Sequence, residues 1–136
     1  MMGDLSHNFN LSEFRCKCCG EGIPKKKLIN VLENIRFILS DRYYPNPVKI
    51  TISGPLRCDA HNTEVGGVSN SRHLFKHSDG VDIKAFSKVE DKWLQILPEE
   101  VVAIAELLLQ ETGGIGQYKG RSHIDTRSKK ARWDFR

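Results

Sequence analysis

The sequence predicts an α+β fold, a small and mostly antiparallel sheet with flanking helices. Three patterns predict it: one long stretch of helical periodicity, a segment of strict apolar–polar alternation behind it, and two short strand-like runs around a Lys119-Gly120 turn. With 136 residues, 39% apolar and 28% charged, the chain suits one domain over 1–136 and can bury a core without staples. Its apolar fraction lies well above that of disordered chains, and it shows no internal repeat, low-complexity stretch or long linker.

The elements follow in chain order. After Pro24, the residues Leu28, Val31, Leu32, Ile35, Ile38 and Leu39 share one helical stripe, and Pro45 and Pro47 stop that helix near Tyr44. Val48, Ile50 and Ile52 alternate with Lys49, Thr51 and Ser53, a half-buried strand closed by Gly54 and Pro55. A short helix is expected from Cys58 to Val65, ended by Gly66 and Gly67. A polar loop runs from Val68 to Gly80, and Val81 to Ala85 reads as a second short strand. Pro98, Glu99 and Glu100 start a further helix, with acids near its positive dipole end. Its buried stripe is Val101, Ile104, Ala105, Leu108 and Leu109, and Gly113-Gly114 ends it. Ile115 to Tyr118 and Ser122 to Thr126 form the expected hairpin.

Composition narrows the function classes. The segment Met1 to Asn10 is polar and lacks the apolar stretch of a signal peptide, and the longest apolar run, Val101 to Ala105, is too short to span a bilayer. The expectation is a soluble protein made in a cytoplasm. Of the net charge of +4, the segment from Lys119 to Arg136 carries +5, from seven basic side chains against Asp125 and Asp134. Such a tail attracts polyanions or forms a solvated face. No RRM aromatic motif or helix-turn-helix pattern accompanies it, so nucleic acid is not the expected partner.

Metal-competent side chains are densest from Ser71 to Asp82, with a second group at Ser122-His123-Ile124-Asp125. A catalytic zinc needs three protein ligands and one open position, and His and Asp are suitable donors. His73 falls on the loop, Asp82 on the strand after it and His123 on a neighbouring strand, so a turn brings the three within reach. The alternative reading is that these are ordinary loop histidines.

The run Ser53-Gly54-Pro55-Leu56-Arg57-Cys58-Asp59-Ala60-His61-Asn62, then Val65-Gly66-Gly67, Asn70-Ser71-Arg72-His73-Leu74 and Val81-Asp82-Ile83, resembles the zinc D-alanyl-D-alanine peptidase family. Gly113-Gly114-Ile115-Gly116, His123-Ile124-Asp125-Thr126-Arg127 and Ala131-Arg132-Trp133 continue the match in order, and Phe9 to Gly20 resembles the N-terminal arm of one subgroup. The resemblance implies a fold shared with hedgehog-type domains. It also implies a Zn²⁺ peptidase acting on peptidoglycan stem peptides, as a D,D-carboxypeptidase or an endolysin-type endopeptidase. Action on the bacterial cell wall and a phage or prophage origin come with it.

Carried over by position, the resemblance implies His73, Asp82 and His123 as metal ligands, and Arg57 and Ser71 as substrate contacts. An arginine supplies a fixed, always-charged fork for a carboxylate or a developing oxyanion, although a surface ion pair is its plainer role. Two features depart from the family pattern. Asp82 follows His73 by nine residues rather than seven, with an insertion around Lys76 to Asp79, which makes Asp79 a competing ligand and adds His77 as an extra imidazole. Many relatives carry an acid three positions before the last histidine, where this chain has Gly120. Asp125 is the candidate catalytic base, since residues two apart on a strand face one side. Two other readings of Asp125 stand beside it, orientation of a ligand and an ion pair with Arg127 or Arg121.

Cys16, Cys18, Cys19 and Cys58 complete the inventory. The spacings Cys16-x-x-Cys19 and Cys58-x-x-His61 suit a Cys₃His structural zinc that fastens the arm to the Cys58 helix. Buried free thiols or a single Cys16–Cys58 bridge are the alternatives. For the whole chain, the reading set against the peptidase is a non-catalytic zinc-binding or interaction module of the same fold. A cysteine-zinc domain whose basic tail binds a polyanion is a third.

Overall fold

In the computed structural model, which describes residues 3–136, the first two residues of the polar N-terminal segment lie outside the described chain. The stripe of Leu28, Ile29, Leu32, Ile35 and Leu39 is the buried face of helix α1 (Lys26–Tyr43). The alternating segment is strand β1 (Val48–Gly54), and the short helix α2 (Asp59–Glu64) has Cys58 as its N-cap, whose sulfur accepts the His61 N–H. Strand β2 (Gly80–Val89) runs four residues past the expected end and turns into β3 (Lys92–Gln95). Helix α3 (Pro98–Leu109), with Pro98 in its first turn, precedes the hairpin of β4 (Gly114–Gln117) and β5 (Ser122–Asp125). A last strand, β6 (Ala131–Asp134), was not expected.

These strands form one open six-stranded sheet in the order β1-β2-β5-β4-β6, with β3 added beside β2. All pairs are antiparallel except β4 with β6, which is parallel. The predicted α+β class with a mostly antiparallel sheet is what the chain adopts. Strand alternation sends Val81, Ile83, Ala85, Ile115 and Ile124 to one face, where they pack on the stripes of α1 and α3. The opposite face is then free to carry polar side chains at Asp82, His123 and Asp125. Phe9 and Phe14 of the N-terminal arm join the core, their rings edge to face at 5.9 Å. No helix of the described residues is long and apolar enough to cross a membrane.

Candidate metal centre

The sheet register assembles the site. Asp82 on β2 pairs directly with His123 on β5, and the same row continues outward to Gly54 on β1 and to Gly116 and Trp133 on β4 and β6. A row two residues along reads Gly80, Asp125, Gly114, Ala131. The glycines make the room. A Cβ at Gly54 would overlap the Asp82 carboxylate, and one at Gly114 would overlap that of Asp125. His73 arrives from the loop, which is laced to the Arg57 segment: Arg57 N–H donates to the His73 carbonyl at 2.7 Å, and Phe75 N–H to the Arg57 carbonyl at 3.2 Å.

Three donor atoms converge there. His123 Nδ1 lies 3.1 Å from Asp82 Oδ1 and 3.2 Å from His73 Nε2, and His73 Nε2 is 3.3 Å from Asp82 Oδ1. Ligands bonded tetrahedrally at about 2.0 Å sit about 3.3 Å from one another, so this triangle has the dimensions a zinc ion requires. Each imidazole is also fixed by its other nitrogen. His73 Nδ1 is 2.9 Å from the Pro55 carbonyl, which can only accept, so Nδ1 carries the proton and the Nε2 lone pair faces the centre. His123 Nε2 is 2.8 Å from Asp125 Oδ2, which turns Nδ1 inward in the same way. All three donors are buried.

The electrostatics agree with that wiring. Burial alone would raise the carboxyl of Asp82, but His123 and His73 hold it well below the usual carboxylate range. Burial likewise opposes the charge on Asp125, and His123 and Arg127 overcome it. Burial depresses His123, yet Asp125 and Asp82 carry it above its ordinary value, which makes it a more basic ligand.

The centre opens into a cleft of about 480 Å³ lined by Arg57, Ser71, Arg121, Arg127, Tyr118 and Trp133 among others. Arg57 makes no ion pair among the described residues, and its Nη1 donates to Asn62 Oδ1 at 3.1 Å. Ser71 Oγ accepts the His73 N–H at 3.2 Å, so this buried hydroxyl braces the histidine and also faces the cleft. Aromatic rings carry two of the guanidiniums. Arg121 stacks at 4.0 Å on Tyr118 and Arg127 lies 5.6 Å from Trp133, whose indole N–H donates to the Tyr118 hydroxyl at 2.9 Å. Trp133 also packs against the His123 ring at 5.1 Å.

The competing residues are accounted for. Asp79 is gripped by Arg72 through both carboxylate oxygens, at 3.0 and 2.6 Å, and stays outside the donor triangle. His77 Nε2 is 2.8 Å from Asn70 Oδ1, away from the centre. Asp125, expected as a candidate base, does not face the cleft. Its side chain is fully buried, and it meets His123 on the nitrogen opposite the donor atom while Arg127 holds both of its oxygens. Orientation of His123 and an ion pair with Arg127 are the contacts it makes. The His61 imidazole does not join Cys16, Cys19 and Cys58, whose sulfurs do cluster. The sequence reading missed the Pro55 carbonyl, the Arg72–Asp79 pair and the glycine rows. Only the last left a signal, in glycines recurring inside strands.

A family model described as Peptidase M15 matches residues 7–125. No curated protein and no solved structure matches the chain.

Proposed function

This chain belongs to the peptidase M15 family, and on that premise we propose that it is a zinc peptidase, one domain over 1–136, that hydrolyses peptide bonds in peptidoglycan stem peptides. The observation that carries the proposal is the triangle of His73 Nε2, Asp82 Oδ1 and His123 Nδ1 at the wall of an arginine-lined cleft. Zinc held by these three side chains would supply Lewis acidity, activating water at neutral pH and polarising the scissile carbonyl.

The rest belongs to the chain itself. Arg57, braced by Asn62, anchors a peptide carboxylate or the oxygen on which charge develops, and Ser71 positions the backbone beside His73. Asp125 holds His123 in the tautomer that presents Nδ1. Trp133 and Tyr118 form the apolar wall against which a side chain of the peptide packs. Stem peptides suit the cleft because they pair free carboxylates with small apolar side chains. A D-Ala-D-Ala carboxypeptidase and an endolysin-type endopeptidase both fit, and action on the bacterial cell wall by a phage- or prophage-encoded protein follows from the same reading.

A second reading, a non-catalytic zinc-binding module, is favoured by one observation: among the described residues, Asp82 is the only carboxylate that lines the cleft. One experiment separates the two. Zinc-loaded protein is incubated with defined linear and cross-linked muropeptides, and products are followed by mass spectrometry. Cleavage is expected, with Arg57→Ala slowing it about a hundredfold while zinc stays bound. Full zinc occupancy with no bond cut anywhere in the panel would leave the module reading in its place. Zinc content assigns the carboxylate ligand: Asp82→Ala loses the ion and Asp79→Ala keeps it.

A further inference from the structure

We propose that three of the four cysteines form a separate structural zinc site, with the thiolates of Cys16, Cys19 and Cys58 as its protein ligands. The sulfurs of Cys16, Cys19 and Cys58 lie within 4.8 Å of one another, although Cys58 stands 42 residues beyond Cys16. Cys16 Sγ and Cys58 Sγ are 3.7 Å apart. That is far from the roughly 2.05 Å of a disulfide and close to the edge of about 3.8 Å that a tetrahedron of Zn–S bonds of about 2.3 Å imposes.

Backbone dipoles point at the sulfurs. Cys16 Sγ accepts N–H groups from Cys18 and Cys58, each at 3.4 Å, and Cys58 Sγ accepts that of His61 at 3.4 Å. Such donors favour the ionised sulfur that binds metal. Free thiols buried for packing explain Cys16 but not the exposed Cys19, whose sulfur gathers at the same point. A set of soft thiolates with tetrahedral spacing selects zinc. His61 instead lines a recess with Lys17 and Lys84, so the three thiolates gather without the imidazole that the Cys-x-x-His spacing had suggested.

The site has a structural consequence. Cys58 directly follows Arg57, and Leu56 N–H donates to the Phe14 carbonyl at 3.1 Å. An ion here ties the N-terminal arm to the turn that carries Arg57. The ligands of this site and those of the first centre do not overlap, so either ion can be lost without removing a donor of the other.

The test is zinc content with X-ray absorption at the zinc edge, on protein purified under reducing conditions. Wild type is expected to hold two zinc ions with a sulfur shell near 2.3 Å. His123→Ala keeps one ion in a shell dominated by three sulfurs, whereas Cys19→Ser, altered at an exposed position, keeps one ion with nitrogen and oxygen neighbours only. One zinc per chain without a sulfur shell, iron in place of zinc, or a Cys16–Cys58 disulfide would overturn the site. Cys18→Ser should leave the zinc content and the sulfur count unchanged, and a loss of either would overturn the three-cysteine ligand set.

Discussion

Asp125 is fully buried, and its two oxygens answer three donors: the His123 Nε2–H, the Arg127 guanidinium and the Arg127 backbone N–H at 3.1 Å. A buried carboxylate is costly unless each lone pair is met, so this network has one arrangement, and that arrangement fixes the His123 ring. Asp125→Asn tests the role. An amide at this position can donate to His123 Nε2, which moves the ring proton to Nδ1 and blocks the donor atom. Zinc affinity should fall about ten- to a hundredfold, as for other partners of metal-bound histidines, measured by competition with a chromophoric chelator. Once zinc is saturating, the pH profile of hydrolysis should keep its shape if Asp125 acts only by orienting His123. Unchanged zinc affinity, or a lost profile limb, would return Asp125 to the role of base.

At the scale of elements, the sequence announced those that bury an apolar stripe and hid those that do not. Helices α1 and α3, strand β1 and the β4–β5 hairpin carry periodic apolar residues, and all lie where periodicity put them. Strand β3 is Lys92-Trp93-Leu94-Gln95, exposed at every position, so no buried face marks it. Its turn, Glu90-Asp91, has positive φ at both residues, 48° and 69°, without the Asn-Gly or Asp-Gly that usually advertises such a hairpin. Strand β6 sits in a basic stretch and pairs in parallel with β4, a contact no local pattern encodes. The site was readable in part for the same reason. His73, Asp82 and His123 stand out as residue types, whereas the Arg72–Asp79 pair and the Pro55 carbonyl depend on how the loop closes.

One carboxylate on α1 gathers three donors from the N-terminal arm. Glu33 on α1 accepts the Ser6 hydroxyl, the Asn8 N–H at 2.8 Å and the Asn8 amide at 2.7 Å. Partial burial pushes its carboxyl up, but these donors and Arg36 outweigh that and hold it below its ordinary value of 4.5. A depressed carboxylate stabilises the fold fully above its unfolded pKa and loses that contribution as pH falls through the folded one. Glu33→Gln should therefore cost about 1 kcal/mol near neutral pH. The gap between variant and wild type, followed by denaturant unfolding, should close as pH drops below about 4.5. A gap that stays constant down to pH 3 would mean that the Glu33 charge does not hold the arm, which then rests on the packing of Phe9 and Phe14 and on the Leu56 N–H bond to the Phe14 carbonyl.

Over the whole molecule, charge is arranged more tellingly than its net value of +4. Four arginines line the cleft, yet Asp79 answers Arg72 and Asp125 answers Arg127. Arg121 is shared with Asp82 at 3.4 Å, and Arg57 has no carboxylate partner among the described residues. The cleft arginine left without a carboxylate partner is thus Arg57, so the field around it is positive. A substrate with a free carboxylate should be drawn in by this field, and its capture should weaken as salt shortens the screening length to about 10 Å at 0.1 M. For a free-acid muropeptide, kcat/KM should fall about threefold or more between 0.02 and 0.3 M salt. The same peptide with its C-terminus amidated should vary little, and Arg57→Ala should flatten the free acid's dependence as well. Equal salt dependence for the acid and the amide would show that recognition runs through the aromatic wall of Trp133 and Tyr118 instead of through charge.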